Sequence, residues 1–206
     1  FFFIFKIIGY KSASNLGEII GKKIGPFFRS KSKIYENLKS SKIGNSELER
    51  KNIIKCMWGN YGRILSEYVF LRQFRNNNLK KFFKINGNEI LEKIKINNEK
   101  VVFISGHFNN FELMAMEIEK AGVNLCAIYR PLNNPFLNLV MEKIRRNYIC
   151  KYQIKKGRSG TRNLIDLFKK NFSVALMIDQ RVSEGETIKF FERPAKTTTI
   201  PAQLVK

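Results

Sequence analysis

The sequence predicts an α/β fold: a mostly parallel sheet flanked by helices, with an N-terminal helical segment ahead of it. Two observations predict it. From Lys100 onward, short β-rich apolar runs alternate with helical patterns across short connections, the texture of a parallel sheet with crossover helices. Ahead of that, a capped run with helical periodicity fills much of the first third of the chain. The expected division is a membrane-proximal helical segment over 1–76 and an α/β core over 77–206.

The elements follow in order. Residues 1–10, from Phe1-Phe2-Phe3-Ile4-Phe5 to Tyr10, are too few to span a bilayer, which needs ~20 apolar residues. They read as the tail of a spanning or interfacial helix, or as an ordinary core or amphipathic helix. Lys11, Lys22 and Lys23 behind them fit a cytoplasmic exit under the positive-inside bias. The chain opens on Phe1 rather than Met, and 201–206 reads as a helix just begun, so the sequence is taken as a fragment that continues past its last residue.

Ser46-Glu47-Leu48-Glu49 is a capping box, with Ser at the cap and Glu three residues on. Ile53, Ile54, Met57, Trp58, Tyr61, Ile64, Leu65, Tyr68 and Leu71 then recur at helical spacing. Gly59 and Gly62 interrupt that helix at a cost of ~1 kcal/mol each relative to Ala. They point to a tight helix crossing or to close approach of a ligand. Asn76-Asn77-Asn78 ends the run. A short strand is expected over 82–85, a helix over 89–96 and a strand over 100–104. A helix over 110–121 follows, with Gly122 past its end. The remaining expectations are a strand over 124–129, a helix over 135–147, a strand over 151–154, a helix over 159–170 and a strand over 173–178.

Composition narrows the function. Apolar residues make up 44% of the chain and aromatics 13%, which excludes a disordered protein. The net charge of +21 attracts polyanions, meaning nucleic acid, an anionic lipid surface or an acidic carrier protein. Cys56, Cys126 and Cys150 are scattered and lack a C-x-x-C pair, and with a single His they offer no zinc cluster. Buried free thiols are expected.

That single histidine, His107, lies in Ser105-Gly106-His107-Phe108-Asn109-Asn110-Phe111-Glu112, directly after an apolar strand candidate. An imidazole there, with a carboxylate five residues on, has the makings of a general base and its orienting acid. Within one helix the two would sit about 140° apart and miss each other. They meet if His107 stays in the loop and Glu112 opens the helix, with Asn109-Asn110 as turn and N-cap. Glu112 also has a plain reading as a first-turn acid favoured by the helix dipole. His107, Arg130 and Asp179 each lie just beyond a strand candidate, where parallel sheets gather ligands.

The ordered series Gly106-His107-Phe108-Asn109-Asn110-Phe111-Glu112, Tyr129-Arg130-Pro131-Leu132-Asn133-Asn134-Pro135, Gly157-Arg158, Asp179-Gln180, Phe190-Phe191 and Pro194-Ala195-Lys196-Thr197-Thr198 resembles the bacterial lipid A biosynthesis acyltransferases. These lauroyl and myristoyl transferases belong to the H-x4-D/E glycerolipid acyltransferases. The resemblance runs from roughly Trp58 onward. The family typically has Gly where Asn109 stands, Trp where Phe111 stands, and Gly where Glu192 follows Phe191. Related phosphatidylinositol mannoside acyltransferases share much of the pattern.

The resemblance implies a catalytic pair of His107 and Glu112, with the His taking a proton from a glycolipid hydroxyl that attacks an acyl thioester. Helix-start amides or Arg130 would serve the oxyanion. Arg130 more naturally grips a phosphate, with Arg158 as a second candidate for the same anion. Asp179 and Gln180 match a family motif and enter as substrate-binding candidates, or as structural caps. No metal or cofactor is implied. The donor would be acyl carrier protein, the acceptor a glycolipid, and the place the cytoplasmic face of the inner membrane, whose anionic surface suits the charge. Two other readings are an inactive lipid-binding relative and a basic nucleic-acid module. The latter has no zinc, RRM or helix-turn-helix signature, and its charge is not clustered, so no nucleic acid is expected as a partner.

Overall fold

A computed structural model describes residues 2–180 and 182–206, with the side chains of Lys31 and Arg158 outside the description. Among the described residues the helices are α1 (Phe2–Ile8), α2 (Tyr10–Ile24), α3 (Lys31–Ser40), α4 (Glu47–Glu67), α5 (Leu71–Arg75), α6 (Asn88–Ile96), α7 (Glu112–Lys120), α8 (Pro135–Tyr148), α9 (Arg158–Lys169) and α10 (Ile200–Val205). The strands are β1 (Val102–Ser105), β2 (Leu125–Tyr129), β3 (Tyr152–Lys155), β4 (Ser173–Met177), β5 (Glu186–Phe190) and β6 (Arg193–Thr197). They group into two compact units, Phe1–Phe70 with Thr187–Ala195, and Leu71–Glu186 with Lys196–Lys206.

The first unit is built on α2 against α4. Ser46 caps α4 as its sequence implies, accepting from the Glu49 amide at 3.1 Å, while the Glu49 carboxylate reaches back to the Asn45 amide at 2.6 Å. The glycines mark a helix crossing. A Cβ on Gly62 would overlap the carbonyl oxygen of Gly17, so the two backbones touch where no side chain fits. Polar contacts surround that seam: Ser14 donates to Glu67 at 2.7 Å, and Arg63 donates to Ser14 at 2.9 Å and pairs with Glu18. Gly62→Ala should therefore cost about 1–3 kcal/mol of stability by overpacking, read as a lower urea midpoint. An unchanged midpoint would mean the helices separate freely.

Helix α1 leaves Phe2, Phe3, Ile4 and Ile7 exposed, and Phe27 and Phe28 beyond α2 are exposed as well. Among the described residues no helix is long and apolar enough to cross a membrane. Phe1 lies outside the described residues. The free thiols divide, Cys126 and Cys150 being buried and Cys56 exposed, against the expectation that all three are buried. Burial pushes both buried thiols up to about 12.

The second unit holds a four-stranded parallel sheet in the order β1-β4-β2-β3. Cys126, Ile154, Val174 and Leu176 make the core on one face together with Leu164 of α9, and Leu167, Phe168, Ile200 and Leu204 of α9 and α10 pack around them. Strand alternation sends Ala127 and Ala175 to the opposite face, toward α7 and α8. The strand expected over 82–85 is absent. A 3₁₀ turn, Lys80–Phe82, takes its place, since Phe82 and Phe83 have no neighbouring strand to pair with. Phe83 instead packs its ring against that of Phe74, tilted, at 5.9 Å between centroids.

The hairpin of β5 and β6 has no counterpart among the strands expected from sequence. It turns on Phe191 and Glu192, whose φ values of 48° and 62° are both left-handed. Two-residue hairpin turns want that backbone, and glycine adopts it most readily.

Candidate active site

The parallel pairing of β1 with β4 brings the site together. Their last registered partners are Ser105 and Met177, so the residues two further along, His107 and Asp179, emerge side by side. The ladder ends with Ile178 donating to the Ser105 carbonyl at 2.9 Å. One step on, the Asp179 carboxylate takes over as acceptor. Its Oδ2 accepts from the His107 amide at 2.7 Å and its Oδ1 lies 2.8 Å from the His107 Nδ1. Gly106 makes room for this, because a Cβ there would stand 3.1 Å from Oδ2 and collide with the Phe108 ring.

The carboxylate therefore grips both backbone and ring. With the Nδ1 proton directed at Asp179, Nε2 is left as the acceptor. The Gln180 amide nitrogen sits 3.4 Å from it. The Phe111 ring meets the imidazole edge-on at 4.6 Å and limits its rotation. Burial by itself raises the Asp179 carboxyl, but the amide and ring of His107 outweigh it and hold the group below the usual carboxylate range. Its folded pKa thus lies under the unfolded value of about 3.9. The pair adds stability above that pH and loses it as pH falls through the folded value.

Glu112 opens α7, as expected, but its partner is different. It is buried and accepts from Arg145 of α8, at 3.0 Å from Nε and 2.6 Å from Nη2. The expected contact of His107 with Glu112 is replaced by two others: the imidazole is held by Asp179, 72 residues away, and the Glu112 carboxylate by Arg145. The physical reason lies in the turn. Phe111 is the N-cap of α7, Asn109 takes a left-handed φ of 42°, and no side-chain cap bond forms, so the carboxylate and the imidazole leave the turn toward different partners. The amides of Phe108, Phe111, Leu113 and Met114 donate to carbonyls of the same turn and are occupied there.

His107, Glu112, Arg130, Arg145, Lys156 and Gln180 all line one cleft of 470 Å³, floored by Ala127, Ala175 and Met177. The loop that carries Arg130 is pinned at its far end. Asn134 caps α8 by accepting from the Leu137 amide at 3.0 Å, and Asn138 accepts from the Leu132 amide at 2.9 Å. Tyr129 donates to Glu142 at 2.5 Å and anchors the near end. The Arg158 side chain lies outside the described residues.

Arg145 and Lys156 are the charged cleft residues that sequence reasoning missed. Arg145 sits within an Arg-Arg pair in a helix and looks like solvated surface. The available signal is its place on the side of α8 shared with Ile149, opposite the exposed Lys143.

A family model described as bacterial lipid A biosynthesis acyltransferase matches residues 1–206. The chain is 26% identical over 170 residues to the lipid A biosynthesis palmitoleoyltransferase of Escherichia coli (strain K12), covering 80% of this chain and 53% of that protein. The lipid A biosynthesis acyltransferase of Shigella flexneri matches with the same identity and coverage. The lipid A biosynthesis acyltransferase 2 of Shigella flexneri is 28% identical over 106 residues, covering 50% of this chain and 33% of that protein. The chain spans about half the length of the first two of these curated relatives.

Proposed function

Because the chain belongs to the bacterial lipid A biosynthesis acyltransferase family, we propose that it moves a fatty acyl group from an acyl carrier protein thioester to a hydroxyl of a lipid A precursor. The observation that carries this reading is the imidazole of His107, oriented through Nδ1 by Asp179 and presenting Nε2 beside Gln180 in the cleft. That is the arrangement of a general base with its orienting acid.

The acceptor hydroxyl gives its proton to Nε2 as its oxygen attacks the thioester carbonyl. The tetrahedral intermediate collapses, the carbon–sulfur bond breaks, and the imidazolium returns the proton to the leaving thiolate. Asp179 stabilises the imidazolium between these steps, and no acyl-enzyme forms. Arg130 and Lys156 offer cationic side chains to a phosphate of the acceptor or donor, Arg130 with the planar fork that phosphate suits. Arg158 remains a second proposed contact for that anion. Glu112 keeps Arg145 in the cleft wall and acts on the site through that pair.

The acceptor is an amphiphile, so the reaction belongs at the cytoplasmic face of the inner membrane. The exposed apolar side chains of α1 and the net charge of +21 support contact with an anionic bilayer and with an acidic carrier.

The test is transfer of a radiolabelled acyl chain from carrier protein to a lipid A precursor by the full-length protein. Asp179→Asn should lower turnover about 100-fold or more by releasing the tautomer and orientation of the ring, with KM little changed. Wild-type turnover in that variant would remove Asp179 from the mechanism.

A further inference from the structure

Helix α8 turns an apolar face to solvent. Phe136, Leu139 and Val140 are 81, 65 and 52% exposed, and their spacing of three and four residues puts them on one side of the helix. Lys143 and Arg146, also exposed, continue that face toward the C-terminal end. The acidic residue of this helix, Glu142, is turned away onto Tyr129 and Asn138. The face is thus apolar for its first turns and cationic for its last ones. A helix layered on a sheet ordinarily shows water its polar side, and a contiguous apolar patch marks an interaction site.

Its position is informative. Helix α8 starts at the end of the loop that carries Arg130, so the apolar turns lie at the same carboxyl end of the sheet as His107. Leu132 and Asn133, just ahead of the helix, line the cleft itself. Phe108, next in the chain to His107, is 77% exposed and adds an apolar side chain at that end.

We infer that this face is a lipid-docking surface, in which Phe108, Phe136, Leu139 and Val140 enter the acyl boundary of an anionic bilayer while Lys143 and Arg146 meet its headgroup phosphates. Phenyl and aliphatic groups together, with cationic groups one and two turns away, match the layering of a bilayer, apolar beneath and anionic above. Docking there holds the cleft against the leaflet, so an acceptor hydroxyl reaches Nε2 while its acyl chains stay in the membrane. The reason for the location rests on the acyl-transfer reading; the binding itself does not.

The experiment uses the full-length protein and vesicles of phosphatidylcholine with or without phosphatidylglycerol. Phe136→Ser, Leu139→Ser and Val140→Ser together should lower partitioning to the anionic vesicles about tenfold or more. Lys143→Glu with Arg146→Glu should abolish the preference for phosphatidylglycerol. A bimane label on Leu139→Cys, in a Cys56→Ser background, should be quenched by brominated acyl chains. Normal sedimentation of the triple variant, or a label that brominated lipid leaves bright, overturns the proposal. So does a label that responds to acyl carrier protein and not to vesicles, which would give the face to a protein. Transfer to a detergent-dispersed acceptor is measured in parallel, and the triple variant should retain it. A wild-type protein that docks through α8 but transfers nothing removes the catalytic reading and leaves the surface standing.

Discussion

His107→Ala is expected to lower acyl transfer by about 100- to 10,000-fold, the range that a positioned general base contributes, while leaving the unfolding midpoint nearly unchanged. Both halves follow from the geometry. The ring holds the one imidazole in the chain and lines the cleft, so no other imidazole can take its place. It is also partly exposed, and Asp179, also solvent-accessible, can be rehydrated when the ring is lost. Turnover at the wild-type rate in a folded His107→Ala protein would end the assignment. His107→Gln is the companion variant, since it keeps a hydrogen-bonding group toward Asp179 and loses the base.

Breaking the pair of Glu112 and Arg145 is expected to have the largest effect on stability. Its side chains are 8 and 14% exposed, so removing one partner takes away a counter-charge that water cannot readily replace. Arg145→Met should lower the unfolding free energy by about 3–5 kcal/mol, as breaking buried ion pairs does. Combining it with Glu112→Gln should recover much of the loss, because no buried charge is then left unmatched. The measurement is urea denaturation of the two single variants and the double. Glu112→Gln with full stability and no turnover would instead put Glu112 in direct contact with the chemistry.

The two sites differ in how they are written in the chain. The strands and most helices of the second unit are local, set by apolar runs, caps and spacing within a dozen residues. The capping box at Ser46, the helix over 89–96 and the strand preceding His107 all lie where that pattern puts them. The 82–85 segment has the same local texture and forms no strand, because pairing is a property of neighbours and not of the segment. The positions that depart from the resembled family are instructive too. Asn109 and Glu192 stand where glycine is typical, and both take left-handed backbone here. Both departures therefore stand at turns whose backbone glycine adopts most readily.

By itself the sequence determined that imidazole chemistry, if used, belongs to His107, and that it sits at the mouth of a parallel sheet. Only the tertiary structure decided which carboxylate serves it. Glu112 is near in the chain and turns to Arg145, whereas Asp179 is distant and arrives because β4 lies beside β1 in register. Strand order joins residues far apart in sequence, and no local periodicity records it. The same holds for Arg145, whose role appears only once α8 is laid over the sheet and one of two adjacent arginines is turned inward.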